Sequence, residues 1–236
     1  MPATATETVF DHILEAIVSG SYPPGARLPA ERELSRQLGA SRPTLREALG
    51  KLAEWRLIRA RRGSGIEVRP MHEWSIEVLP AYLKNARPAA DQPPIAQVVS
   101  DLLALRRSLT LAMIERVADR IPAGTLEPAR KLLTAAWDAR EDGPRFAELD
   151  FGFMRAIIEA AQFLPAVWML NRLSGVYLDI ARSVNATIPP PDTYLMSNEA
   201  LLDALEAGDR ERALAALSRY LEQHDRRLLG AIGAVP

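Results

Sequence analysis

Cysteine is absent from the 236 residues, which excludes disulfides, thiolate metal sites and cysteine nucleophiles. Histidine is nearly as scarce: His12, His72 and His224 are the only three, so a site built from several imidazoles has little to draw on. No apolar run approaches the ~18 residues of a membrane span. Met1 to Phe10 also lacks the charged and apolar regions of a secretory signal. The expected location is the cytoplasm, with no membrane partner. At 48% hydrophobic and 25% charged residues, disorder is not the expected state of the chain.

The net charge is only −1, but it is unevenly spread. Residues 27–62 hold ten Lys or Arg against four Glu, a local balance of +6, whereas residues 71–236 carry a balance of −4. A basic stretch followed by a mildly acidic body directs a polyanionic partner to the N-terminal part alone.

Within the basic stretch, Ser41-Arg42-Pro43-Thr44-Leu45-Arg46-Glu47-Ala48-Leu49-Gly50-Lys51-Leu52 reads as one helix. Leu45, Ala48, Leu49, Leu52 and Ala53 recur at the spacing that gathers apolar side chains into a stripe. Ser41 suits the N-cap and Pro43 the first turn, where backbone N–H groups lack helical partners. Arg42, Thr44 and Arg46 then crowd the exposed N-terminal end. Upstream, a helix is predicted over about Thr6 to Gly20, a turn at Tyr22-Pro23-Pro24-Gly25, and a short helix over Leu28 to Gly39 with Leu34 and Leu38 inward. Two short helices joined by a tight glycine-containing turn form a helix-turn-helix, whose second helix enters the major groove of DNA. Leu57–Arg62 and Ile66–Arg69, around Gly63-Ser64-Gly65, read as a β-hairpin with arginines at its tip, the wing of a winged helix-turn-helix. The glycines do not form a catalytic phosphate loop, because no Gly-Lys-Ser/Thr follows.

Residues 1–70 are therefore read as a winged helix-turn-helix domain. Residues 71–94 are read as a connecting helix over Met71 to Ala86, followed by the linker Arg87-Pro88-Ala89-Ala90-Asp91-Gln92-Pro93-Pro94. Residues 95–236 are read as an all-α bundle with helices at about 95–121, 125–141, 144–161, 164–186, 193–207 and 209–230. The fold class is mainly α, with a small β-hairpin wing.

The residues Leu28-Pro29-Ala30-Glu31-Arg32-Glu33-Leu34-Ser35, followed by Ser41 to Leu49, resemble the signature of GntR-family transcription regulators. The second half resembles the FCD-type effector domain of that family, and Phe146-Ala147-Glu148-Leu149-Asp150-Phe151-Gly152-Phe153 is most similar to its fatty-acid-responsive FadR branch. The resemblance implies a homodimer on a double-stranded DNA operator, with DNA contacts at Arg32, Arg42, Thr44, Arg46 and the wing residues Arg62 and Gly63. Chemistry agrees, since an arginine fork can bind guanine O6 and N7 and positive charge neutralises phosphates. Where the FadR branch has histidine beside the wing glycine, this chain has Arg62.

Many FCD domains hold a divalent metal through one aspartate and three histidines. Here the aspartate is Asp150, but the partner positions resemble Met154, Asn198 and Tyr220, which are poor replacements for imidazoles. No metal and no other cofactor is expected. His224, four positions beyond Tyr220, reads on its own as a surface residue, yet it falls among the effector residues that the resemblance implies: Arg106, Phe153, Met154, Tyr177, Tyr220 and His224. Leu102, Leu105, Ile157, Trp168 and Leu173 are further pocket candidates. The implied effector is a long-chain acyl-CoA, whose burial contributes ~0.8 kcal/mol per methylene. Leu221 and Leu228 stand where the FadR branch has a glycine and a tryptophan near that ligand. The alternative is an FCD regulator responding to another small organic acid through a degraded metal site. An enzyme is not expected: Glu148 and Asp150 are two residues apart and diverge by about 200° on a helix, so they cannot form an acid–base pair.

Overall fold

The computed structural model describes residues 4–61, 65–87, 93–185 and 188–231. The chain divides into two compact units, Met1–Gln92 and Pro93–Pro236.

In the first unit, α1 (Ala5–Val18) starts at a capping box in which the Thr4 hydroxyl accepts from the Glu7 N–H and the Glu7 carboxylate accepts from the Thr4 N–H. Its apolar face, including Ile13 and Ile17, packs on α3 (Arg42–Glu54). Of the predicted stripe, Leu45, Ala48, Leu49 and Leu52 are buried in return, whereas Ala53, in the last turn of the helix, is exposed. Phe10 meets the Trp55 ring edge-on at 4.8 Å. Gly39 joins α2 (Glu31–Gln37) to α3 at φ +60, a left-handed conformation that costs glycine no Cβ clash.

Strands β1 (Ile58–Arg61) and β2 (Gly65–Val68) pair antiparallel, Ile58 opposite Val68 and Arg61 opposite Gly65. A third extended segment joins them. The Val68 N–H donates to the Ala26 carbonyl and the Leu28 N–H to the Ile66 carbonyl, both at 2.9 Å. This explains why α2 begins at Glu31 rather than at Leu28: the Leu28 backbone is already committed to the wing. Its burial serves the wing core and not a helical face.

The continuous connecting helix expected over 71–86 is instead two single 3₁₀ turns, Met71–Glu73 and Ile76–Val78, followed by α4 (Leu79–Asn85). Tertiary ties override local propensity here. The Trp74 indole donates to the Arg69 carbonyl at 2.9 Å and the Ser75 N–H to the Trp55 carbonyl at 3.1 Å, which holds Trp74 and Ser75 extended. Of the linker, residues 88–92 lie outside the described residues.

The second unit contains α5 (Ile95–Val117), α6 (Glu127–Asp138), α7 (Gly143–Ala160), α8 (Leu164–Asn185), α9 (Tyr194–Glu206) and α10 (Arg210–Ala231). A 3₁₀ turn, Ala118–Arg120, ends α5. Helix α7 packs on α6 and α8, α9 on α6 and α10, and α10 on α5. Asp142 caps α7 by accepting from the Arg145 N–H, and Pro144 occupies its first turn. Gly208, at φ +68, ends α9 and lets the Asp209 N–H reach back to the Ala204 carbonyl. One apolar cluster fills the bundle, with Ile114, Leu133, Phe146, Phe153, Ile157, Tyr194 and Leu201 almost wholly buried. Among the described residues, no helix is long and apolar enough to cross a membrane.

Candidate functional site

The basic surface of the first unit is built on the N-terminal end of α3. Ser41 caps the helix, accepting from the Thr44 N–H, and its hydroxyl lies 2.7 Å from that of Thr44. With Leu45 pinned in the core, Arg42 and Arg46 are turned outward and exposed. The Arg46 guanidinium lies 2.8 Å from a Glu31 carboxylate oxygen, tying α3 to the first turn of α2. An exposed pair of this kind is worth only ~0–1 kcal/mol, so Arg46 can exchange Glu31 for a phosphate or a base at little cost. Arg32, on α2, is also exposed. On the wing, Glu67 holds Arg59 at 3.2 Å and Arg61 at 2.7 Å, fixing two cations at the hairpin. Glu31 and Glu67 were not singled out in the sequence, because an acidic residue in a basic stretch reads there only as a subtraction from the charge. Arg62 and Gly63 lie outside the described residues.

The second unit carries a polar cluster inside an apolar bundle. Asp150, on α7, is half-buried, with one carboxylate oxygen accepting from the Tyr194 hydroxyl at 2.8 Å and the other from the Tyr177 hydroxyl at 3.1 Å. Burial pushes its pKa up, while the two hydroxyls and the Arg106 charge hold it down. Arg106, on α5, reaches α10 and donates to Asp225 at 2.5 Å, with Arg107 standing 3.6 Å from the other Asp225 oxygen. Burial raises the Asp225 pKa against the pull of those two arginines. His224 is buried beside it, its ring stacked on Tyr220 with centroids 5.8 Å apart. Burial, then the positive charges of Arg106 and Arg227, lower its pKa to about 3, so it is neutral at pH 7. The surface position that His224 suggests in the sequence is therefore wrong. The stripe Ala213, Leu217, Tyr220, Leu221, His224, Asp225 and Leu228 turns inward as one face.

Three polar atoms of this cluster, Arg106 Nε, His224 Nδ1 and Asp225 Oδ2, are buried without a hydrogen-bond partner among the described residues. Buried polar groups are ordinarily satisfied, so such a concentration marks a place suited to a polar ligand or bound water. Tyr177, Tyr220, His224 and Arg106 thus belong to one neighbourhood. Phe153 does not share its polar chemistry and lies in the apolar core, while Met154 is packed partly buried against that core. Leu105 and Trp168 are 51% and 65% exposed, which excludes them as lining of an interior pocket. Asp225 and Tyr194 are the members that sequence reasoning missed. Asp225 was detectable as a charge within an apolar stripe, whereas Tyr194 lay only at the edge of a proline-rich break.

The donor set does not fit the metal that many FCD domains hold. Both Asp150 oxygens are engaged by tyrosines, and the Asn198 amide donates to the Tyr194 carbonyl at 2.9 Å. Met154 offers only a thioether. Among the described residues, no group of three or more His, Cys, Asp or Glu could hold a metal ion.

The model of the bacterial regulatory proteins of the gntR family matches residues 5–68, and that of the FCD domain matches residues 101–223, more than half of the chain. The chain belongs to the GntR family, in the group that carries an FCD domain. The GntR-family assignment makes it a transcription regulator that binds DNA operators, and its matches are regulators, not enzymes. It is similar to the "Fatty acid metabolism regulator protein" of Proteus mirabilis, with 28% identity over 211 residues, 89% of this chain and 84% of the relative. The protein of the same name from Salmonella paratyphi C is 27% identical over the same shares. Among solved structures, a Listeria monocytogenes protein titled "Lar controls the expression of the Listeria monocytogenes agr system and mediates virulence" superposes with a TM-score of 0.65 at 16% identity. That likeness covers 97% of this chain and 98% of that one, and supports the fold alone.

Proposed function

We propose that this GntR-family regulator acts in the cytoplasm as a homodimeric repressor or dual regulator of fatty-acid metabolism, releasing its operator when a long-chain acyl-CoA binds the helical unit without a metal. The observation that carries the reading is the likeness, over 89% of the chain, to proteins named fatty acid metabolism regulators. The polar cluster supports it, because Arg106 offers positive charge and an unsatisfied donor to a phosphate or carbonyl at a site whose chemistry does not suit a metal. The effector weakens DNA binding only by preferring a state in which the paired recognition helices no longer match two half-sites.

Fluorescence anisotropy with genomic fragments at stated salt tests both ends of this reading. Arg46→Ala is expected to weaken specific binding by about 10- to 100-fold, corresponding to ~1–3 kcal/mol for one base-reading arginine. Wild-type specificity in that variant would remove Arg46 from the reading head. Palmitoyl-CoA is expected to dissociate the complex, while acetyl-CoA and citrate leave it intact. Release by citrate alone, with bound metal surviving dialysis and lost in Asp150→Ala, would establish instead an organic-acid regulator with a degraded metal site.

A further inference from the structure

We propose that α5 is the two-fold contact of the homodimer, pairing antiparallel with α5 of a second copy about a point between Ser108 and Leu109. The inference rests on the homodimer of the proposed function and names its surface. One face of α5 is used within the unit, where Leu103, Met113, Ile114 and Val117 are buried. The opposite face, Ala104, Leu105, Ser108, Leu109 and Ala112, is exposed. At about 100° per residue these five fall on one side of the helix. The outer stripe of a surface helix is ordinarily charged. This one carries no charge over its central two turns, and Leu105 and Leu109 remain 51% and 37% exposed.

The ends of the stripe identify the occupant. Asp101 is exposed at one end, with a Gln97 amide donating to it at 2.9 Å and no cation paired to it among the described residues. Arg116 is exposed at the other end, without an ion pair among the described residues, whereas its neighbour Glu115 is already held by Arg210 at 2.7 Å. In an antiparallel pair centred between Ser108 and Leu109, Asp101 of each copy faces Arg116 of the other. Leu105 faces Ala112, and Ser108 faces Leu109. Opposite charges meet twice and large side chains oppose small ones, the self-complementarity that an isologous contact requires. The paired segment, Asp101 to Arg116, spans about 22 Å.

Sedimentation equilibrium on the full chain tests this surface. The wild type is expected to be dimeric, and Leu105→Glu combined with Leu109→Glu to raise the dimer dissociation constant at least about 100-fold, as loss of a central apolar anchor does. An unchanged thermal melt at low protein concentration would show the monomer intact. Asp101→Arg alone and Arg116→Asp alone are each expected to weaken the dimer about three- to tenfold, and the double exchange to restore it. Because the chain has no cysteine, Ser108→Cys should cross-link under mild oxidation faster than Thr134→Cys, an exposed control on α6. A double-glutamate variant that stays dimeric, an exchange that does not restore pairing, or equal cross-linking at the two cysteines would each overturn this face while leaving the regulator reading in place. A wild type that binds its operator as a monomer would overturn the dimer itself.

Discussion

Tyr194→Phe is expected to destabilise the helical unit by about 1.5–3 kcal/mol, the range for a hydrogen bond to a charged group. It should be the most damaging removal of a single oxygen atom in the bundle. The ring would stay in place against Phe146 and Tyr220, at 5.0 and 5.8 Å, so the loss reports the 2.8 Å bond to Asp150 alone. Tyr177→Phe, whose bond to the same carboxylate is 3.1 Å, should cost less. Tyr194→Ala should cost about 3–5 kcal/mol, because a fully buried ring is then replaced by a cavity. The effect has a pH signature. Burial pushes the Asp150 pKa up and the Tyr194 hydroxyl opposes it, so the variant's carboxyl titrates higher still. Its penalty is therefore largest at alkaline pH and shrinks as pH falls through that raised pKa. Urea denaturation of the variants at pH 8 and pH 5 measures both effects. A Tyr194→Phe protein as stable as the wild type at pH 8, or one harmed less than Tyr177→Phe, would show that the carboxylate does not depend on this hydroxyl.

Much of the first unit was legible in the sequence because its signals are local. Ser41, Pro43 and the spacing of Leu45, Leu49 and Leu52 specify where α3 starts and which side it buries, and the structure repeats them. The exceptions are long-range. Leu28 leaves its helical pattern because Ile66, far along the chain, offers a carbonyl. The residues around Trp74 give up a helix because Trp55 and Arg69 accept their donors. In the second unit, helix positions followed from periodicity and proline breaks, but the polar cluster did not. It draws on α5, α7, α8, α9 and α10. Spacing within one helix says nothing about which tyrosine of another will meet Asp150. Trp168 and Leu105 fail as pocket residues for the related reason that amphipathic spacing marks an apolar stripe without saying which stripe the neighbours cover. The feature that could have been read is α10, where His224 and Asp225 interrupt a stripe that is otherwise apolar and aromatic.

That interruption carries the second large effect. His224 is expected to make the helical unit acid-labile from about pH 6.5 downward, and His224→Phe to remove that sensitivity. Unfolded, the imidazole titrates near its ordinary value of 6.5. Folded, burial first and the neighbouring Arg106 and Arg227 second depress it to about 3. Below pH 6.5 the unfolded chain binds a proton that the folded chain refuses, so the stability contributed by neutral His224 is complete above pH 6.5 and is lost as pH falls toward 3. At about 1.4 kcal/mol per pKa unit, the loss is roughly 2 kcal/mol by pH 5 and approaches 4 kcal/mol near pH 3. Asp150 and Asp225 act in the opposite sense. Their pKa values are raised, so the folded state gains relative to the unfolded one as they protonate, and the wild-type curve is the difference of the two trends. Comparison with His224→Phe isolates the histidine, because phenylalanine keeps a ring against Tyr220 and cannot titrate. The stability gap between the two proteins should then open steadily between pH 6.5 and 3, in favour of the variant. Parallel curves across that range would mean that His224 is protonated as readily in the bundle as in the unfolded chain, and that the Arg106–Asp225 pair beside it does not exclude a further positive charge.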